Sequence, residues 1–311
     1  MLLLRWDAEW QTRATAAITA PHHSRKVAVP GDPVLRCTGR ASLVPDAAPT
    51  VGAPWTTRRG SSQPEQLHHR TFTNRTLRSS RFVGCDLGDV VVRGSDIAGM
   101  ELDSPWLLEG GSSLLVNGVD VVPLVDAELN RRFPGRELRA ADDPVGLRAA
   151  WHAVEVAWAA TLARADSMPD GTVDASVADE WSFAQTLRHL VMATDTWHGK
   201  AILQRERPYH PAGLPNDDGE TAAHDGSEFS VTTPSFEQVL QARADRQRMV
   251  REFLDDVTGD DLLASRRNPH DPGYDETVLS CLHTILEEEW EHHRYAVRDL
   301  DVLAGDDASS R

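Results

Sequence analysis

The chain has 311 residues, enough for one large or two modest domains, and 40% hydrophobic with 26% charged residues is ordinary for a protein with a buried core. Its formal net charge of −16 argues against a general nucleic-acid binder, because gripping phosphates needs Lys and Arg in local excess. The only lysines are Lys26 and Lys200, and Cys37, Cys85 and Cys281 form no C-x-x-C pair, so neither a disulfide framework nor a thiolate zinc site is indicated. The opening Met1-Leu-Leu-Leu is too short an apolar run for a signal peptide, and no stretch approaches the roughly 18 apolar residues of a membrane span. The expectation is a cytoplasmic protein with no membrane and no nucleic-acid partner.

Residues 1–68 are rich in Arg, Ala, Thr, Pro and Gly and sustain no period of 2 or 3.6, so they read as a disordered leader. A translation start further downstream is an equal alternative for this stretch. From 69 to 115 the pattern changes. Large apolar residues recur every five positions at Phe72, Leu77, Phe82, Leu87, Val92, Ile97, Leu102 and Leu107, which neither a helix nor a plain strand produces. Two positions earlier the residue is often small, as at Ser80, Cys85 and Ser95, whereas Arg70, Arg75, Met100 and Pro105 depart from that rule. The segment resembles the pentapeptide-repeat family, which implies a short right-handed β-helix with four five-residue sides per coil and the centre residue stacked inward. Eight repeats make two coils, a stub whose ends need a cap or a neighbouring domain.

Residues 116–140 read as a connector. Asn117-Gly118 predicts a tight hairpin, Pro123 to Arg132 a short helix, and Phe133-Pro134-Gly135 its end. Residues 141–305 then read as four helices, and 306–311 as a disordered tail. Asp143-Pro144 opens the first, with Leu147, Trp151, Val154 and Trp158 as its apolar stripe to about Ala165. Ser182-Phe-Ala-Gln185 is a capping box opening the second, which runs through Leu187, Leu190 and Val191 to Trp197. Thr233-Pro234 or the box Ser235 to Gln238 opens the third, and Thr277 the fourth, which extends to about Leu303. The fold class expected is mainly α: an up-down four-helix bundle with long crossover loops, preceded by the β-helix stub and the leader.

The fourth helix carries the chemistry. Its inward stripe runs Val278, Leu282, Ile285, Glu289, His293, Ala296, Leu300, so two ionisable groups occupy core-facing positions. A buried carboxylate implies a partner, whether a metal, a cation or the histidine itself. Glu289 and His293 are four apart, the spacing at which one helix face offers two ligands to one ion, and Glu288 with His292 forms a second, rotated pair. His189, one position from the Leu190 core line, is the best third ligand from a neighbouring helix. An ordinary ion pair and a satisfied core histidine are the plainer explanation of the same residues.

Trp181-Ser-Phe-Ala-Gln-Thr-Leu-Arg-His189-Leu190 and Glu289-Trp-Glu-His-His293-Arg resemble the second-helix and last-helix motifs of DinB-like proteins. The resemblance covers roughly 165 residues and implies a metal held by His189, Glu289 and His293. Glu289 stands where that family usually has histidine, which favours Mn, Ni or Zn over thiolate-loving ions. It further implies a divalent-metal-dependent thiol S-transferase or a mycothiol-dependent isomerase, with a low-molecular-weight thiol as cosubstrate and a small molecule as electrophile. Tyr209, His210 and Tyr274, in the two long loops, are candidate rim residues, with turn chemistry as the alternative. Two other classes stay open: a metal-free or non-catalytic scaffold, and an interaction platform docking partners through the repeats. The Trp151 and Trp158 stripe can serve a homodimer face as readily as a core.

Overall fold

The structure, a computed structural model, describes residues 67, 69–108, 111–215, 228–271 and 273–309. The leader expected at 1–68 falls almost wholly outside the described residues. By contacts the chain divides between Arg81 and Phe82, and the two units are taken separately.

Before that division the backbone turns left-handed at His69, Asn74 and Ser79. After it the same conformation recurs at Gly84, Asp89, Gly94 and Gly99, so the five-residue period of the sequence is also a period of the backbone. Within the second unit the local bonds repeat every ten residues. Gly88 N donates to Asp86 Oδ1 and Ala98 N to Asp96 Oδ1, while Val90 N donates to Leu87 O and Met100 N to Ile97 O. The expected inward stack is not found: Phe82, Leu87, Val92, Ile97 and Leu102 are all exposed, and no strand is described between Phe82 and Leu108. With four five-residue sides per turn, this stretch is little more than one coil, and a single coil has no neighbouring layer to cover its centre residues.

The connector follows its turn signals. Strands β1 (Leu115–Val116) and β2 (Val119–Asp120) pair antiparallel around Asn117-Gly118, both at positive φ. Helix α1 (Val122–Arg132) ends at Phe133, and Gly135 follows at φ 93. A Cβ at Gly135 would lie 2.5 Å from the Ala153 side chain, so only glycine lets the connector pass this close to the next helix.

Four long elements make the bundle. Helix α2 (Pro144–Asp166) starts on Asp143, whose carboxylate accepts from the Val145 and Gly146 amides. Helix α3 (Phe183–Thr194) starts on the Ser182–Gln185 capping box and continues as a π-helix over Asp195–Ile202. Helix α4 (Phe236–Asp256) starts on the Ser235–Gln238 box. After the short α5 (Gly259–Leu262), strands β3 (Ser265–Arg267) and β4 (Asp275–Thr277) form a hairpin that leads into α6 (Val278–Ser309), which extends into the stretch expected as a tail. The long helices contact one another in a closed ring, α2 to α4, α4 to α3, α3 to α6 and α6 to α2. Leu147, Trp151 and Trp158, Leu187 and Leu190, Val250 and Leu254, and Leu282, Ile285 and Leu300 fill its middle. Each such side chain contributes roughly 1.5–3 kcal/mol of burial free energy, which is why the apolar stripes alone suffice to assemble the bundle.

Candidate metal centre

Two elements bring the site together. The capping box fixes where α3 begins, and His189 follows Ser182 by two turns, so its ring projects from the second turn towards α6. On α6, Glu288 and His292 are one turn apart on the face turned to α3. The three side chains are 1%, 5% and 3% exposed, and they offer one ligand atom each within 4.8 Å of one another. Glu288 Oε2 lies 3.6 Å from His189 Nε2 and 3.2 Å from His292 Nδ1, and the two imidazoles stack at 4.7 Å and 22°. Trp181, just ahead of the α3 cap, lies over them with its ring 4.7 Å from His189 and 6.3 Å from His292.

The hydrogen bonds prepare this group for a cation. His189 Nδ1 sits 3.3 Å from the Leu214 carbonyl, so the proton belongs on Nδ1 and the lone pair on Nε2 faces Glu288. At 3.6 Å that pair is too long for a hydrogen bond, and both His189 Nε2 and Glu288 Oε2 are buried polar atoms with no partner. His292 Nδ1 lies 3.0 Å from the Glu288 carbonyl and 3.2 Å from Glu288 Oε2, so this one nitrogen faces both oxygens of its neighbour. His189 is tied at one nitrogen to a carbonyl with the other nitrogen beside a carboxylate, and the three buried residues form a group that could hold a divalent ion. Burial alone would raise the Glu288 carboxyl, but His189 and His292 outweigh it and hold it down at about 2. Burial lowers His189, while His292 is raised because Glu288 outweighs its burial.

The group that the structure brings together differs from the expected set of His189, Glu289 and His293 by one position on α6. Glu289 and His293 are buried, as their place in the stripe requires, but they face α2 and α4. Glu289 pairs with the guanidinium of Arg243 on α4, itself 2% exposed. His293 Nε2 lies 2.8 Å from Thr161 Oγ1 on α2, and its ring meets Trp158 edge-on at 5.1 Å. The physical reason is that α6 is covered on two sides. Residues about 100° apart around it are both buried, so the apolar stripe alone does not say which pair meets α3. The rotated pair was visible in the sequence; the signal that decides between the pairs is Arg243, one turn beyond Val239 on the inner side of α4 and a ready partner for Glu289.

The rim residues sit elsewhere. Tyr209 Oη is 3.5 Å from Thr196 Oγ1, and the His210 amide donates to Asp195 Oδ2 at 2.8 Å. Both contacts are made to the π-helical end of α3, where Asp195 also takes two bonds from Arg246. Tyr274 closes the β3–β4 hairpin, its carbonyl accepting from Asn268 N. The loop residue that does reach the centre is Leu214, through its carbonyl.

Residues 153–296 match the family model described as the DinB superfamily. This stretch belongs to that superfamily. The match includes all three residues of the candidate centre and the Arg243–Glu289 pair, and a buried His/Glu/His group that can hold a metal ion agrees with metal binding of the DinB type. No curated protein and no solved structure matches the chain. Among the described residues no helix is long and apolar enough to cross a membrane.

Proposed function

We propose that the DinB-like bundle, residues 141–305, holds a divalent ion through His189, Glu288 and His292 and uses it to activate a low-molecular-weight thiol for transfer to a small electrophile. The observation that carries this reading is the buried His189–Glu288–His292 group, in which His189 Nε2 has no hydrogen-bond partner and Glu288 Oε2 lies 3.6 Å from it and 3.2 Å from His292 Nδ1. A bound Zn, Ni or Mn ion would supply the charge that lowers a thiol's pKa, with three protein ligands leaving further positions for the thiol or water. The residues do the rest. Leu214 O fixes the His189 tautomer and Glu288 stays ionised across the neutral range, while His292, raised by Glu288, would give up its proton as the ion binds.

Elemental analysis of the purified protein tests the site. One ion per chain is expected, lost in His189→Ala, Glu288→Ala and His292→Ala and kept in His293→Ala. Loss in His293→Ala alone would return the site to the other face of α6. Turnover of an electrophile with each of several thiols, including mycothiol, then tests the activity, and a metal-loaded protein inactive with all of them favours a non-catalytic bundle. The five-residue backbone period supports reading 69–108 as pentapeptide repeats, and the exposed Phe82, Val92 and Ile97 support a docking role for that segment.

A further inference from the structure

The repeat-bearing segment reaches the candidate centre through a short series of ion pairs. Asp103, four residues after the last left-handed repeat glycine, bonds Arg294 Nη2 at 2.8 Å and approaches Arg298 Nη1 at 3.4 Å. Arg298 also pairs with Glu180, the residue before Trp181. The two guanidinium groups lie against the Tyr295 ring at 4.4 and 5.1 Å, and that ring stands edge-on to His292 at 6.1 Å. The segment that carries Trp181 is strained. Ala178 and Asp179 are consecutive non-glycine residues at φ 53 and 61, held by Ser176 Oγ donating to Glu180 O at 2.5 Å and Glu180 N donating to Val177 O at 2.9 Å. Two adjacent left-handed residues stay in place only where surrounding contacts fix them, and the Glu180–Arg298–Asp103 series is such a contact.

We infer that Trp181 is a gate over the His189–Glu288–His292 group and that Asp103, from the repeat segment, is the latch that keeps it closed. The inference rests on the metal reading above. It gives the two parts of the chain a joint purpose: anything that pulls on the repeat segment at Asp103 would free Glu180 and let the strained turn relax, swinging the indole away from the ligand rings. Trp181 would then govern how fast an ion or a small thiol reaches the centre, and the latch would make that rate sensitive to what the repeats bind.

Release of Zn from loaded full-length protein to a chromogenic chelator, followed by stopped flow, tests this. Trp181→Ala should release Zn about tenfold faster or more, and Asp103→Asn several-fold faster, with the equilibrium affinity moving far less because uptake quickens too. The double variant should be no faster than Trp181→Ala, since the latch acts through the gate. Asp103→Glu should restore slow release, and added salt should speed release in the wild type but not in Asp103→Asn. Equal rates in wild type and Trp181→Ala would overturn the gate. A fast Trp181→Ala beside an unchanged Asp103→Asn, or effects that multiply in the double variant, would overturn the latch. A wild-type protein that takes up no Zn, Ni or Mn would overturn the metal reading along with the gate.

Discussion

Helix α6 carries two Glu–His pairs of identical spacing, one residue apart, and the bundle treats them in opposite ways. On the α3 side, Glu288 meets two imidazoles and no Lys or Arg, its Oε2 3.2 Å from His292 Nδ1 and 3.6 Å from His189 Nε2. On the other side, Glu289 meets the buried guanidinium of Arg243, and His293 is tied to Thr161. Burial raises the Glu289 carboxyl against the pull of Arg243, and burial pushes the His293 imidazole down to about 4, so that face joins a carboxylate to a guanidinium beside a neutral histidine, although Glu289 Oε1, Arg243 Nη1 and His293 Nδ1 stay without a hydrogen-bond partner. The difference teaches that spacing nominates ligand pairs, while the charge supplied by the facing helix decides which pair is left for an ion.

The sharpest way to break the contrast is to remove Arg243. Arg243→Met leaves Glu289 without its partner in the core, and losing one partner of a buried pair costs about 3–5 kcal/mol. Urea melts should show that loss, while Arg243→Met combined with Glu289→Leu should recover most of it, because an apolar pair of similar volume needs no desolvated charge. A fully stable Arg243→Met would mean the pair is not buried as described. Next in size is the metal itself. Glu288→Gln should weaken Zn affinity by about 100-fold, about 2.7 kcal/mol at 1.36 kcal/mol per tenfold, while Glu289→Gln should shift it only a few-fold through α6 packing. Equilibrium titration against a competing chelator measures both, and equal losses would erase the distinction between the faces.

Much of this was legible in the sequence, because caps and apolar stripes are local signals. Asp143-Pro144, Ser182 with Gln185 and Ser235 with Gln238 open their helices where the pattern places them, and Asn117-Gly118 turns the predicted hairpin. His189 was legible as the α3 member of the buried group. Which pair of α6 joins it was not, because choosing between faces about 100° apart requires knowing what each faces, a matter of tertiary packing. Trp181 read as part of a cap motif, yet its ring covers the centre, and the ion pairs of Asp103 with Arg294 and Arg298 join residues nearly two hundred positions apart, beyond any local pattern. The π-helix over Asp195–Ile202 likewise left no mark on the 3.6-residue period.

His198 sharpens the contrast from outside it. It lies on the π-helix with both ring nitrogens buried and unpartnered, its ring edge-on to Phe253 at 5.1 Å, and burial depresses it from 6.5 to about 3, with Arg205 adding to the effect. Between those values the unfolded chain binds a proton that the folded chain refuses, so stability from this group is complete above about pH 6.5 and is lost as pH falls towards 3. From pH 7.5 to pH 5 that amounts to about 2 kcal/mol. Denaturant melts of wild type and His198→Leu at the two pH values should differ in their pH dependence by about that amount. An identical dependence would show that water or an anion reaches the ring and that its burial is not like that of His293.

The smallest effect probes what holds His189 to the chosen face. The Ser182–Gln185 box satisfies two backbone donors at the start of α3, with Gln185 N bonded to Ser182 Oγ at 3.3 Å and Ser182 N to Gln185 Oε1 at 2.9 Å. Ser182→Ala should therefore cost about 1 kcal/mol, read as a fall in the urea midpoint at unchanged slope. The more telling readout is local. Fraying of the first turn would loosen Trp181 and the strained Ala178–Asp179 turn ahead of it, while His189, two turns in and packed against His292, should stay in register. Amide exchange should quicken at Phe183 to Gln185 and remain slow at His189 and Leu190. Fast exchange reaching His189 would mean that the cap, and not the packing against α6, fixes which pair of α6 the histidine meets.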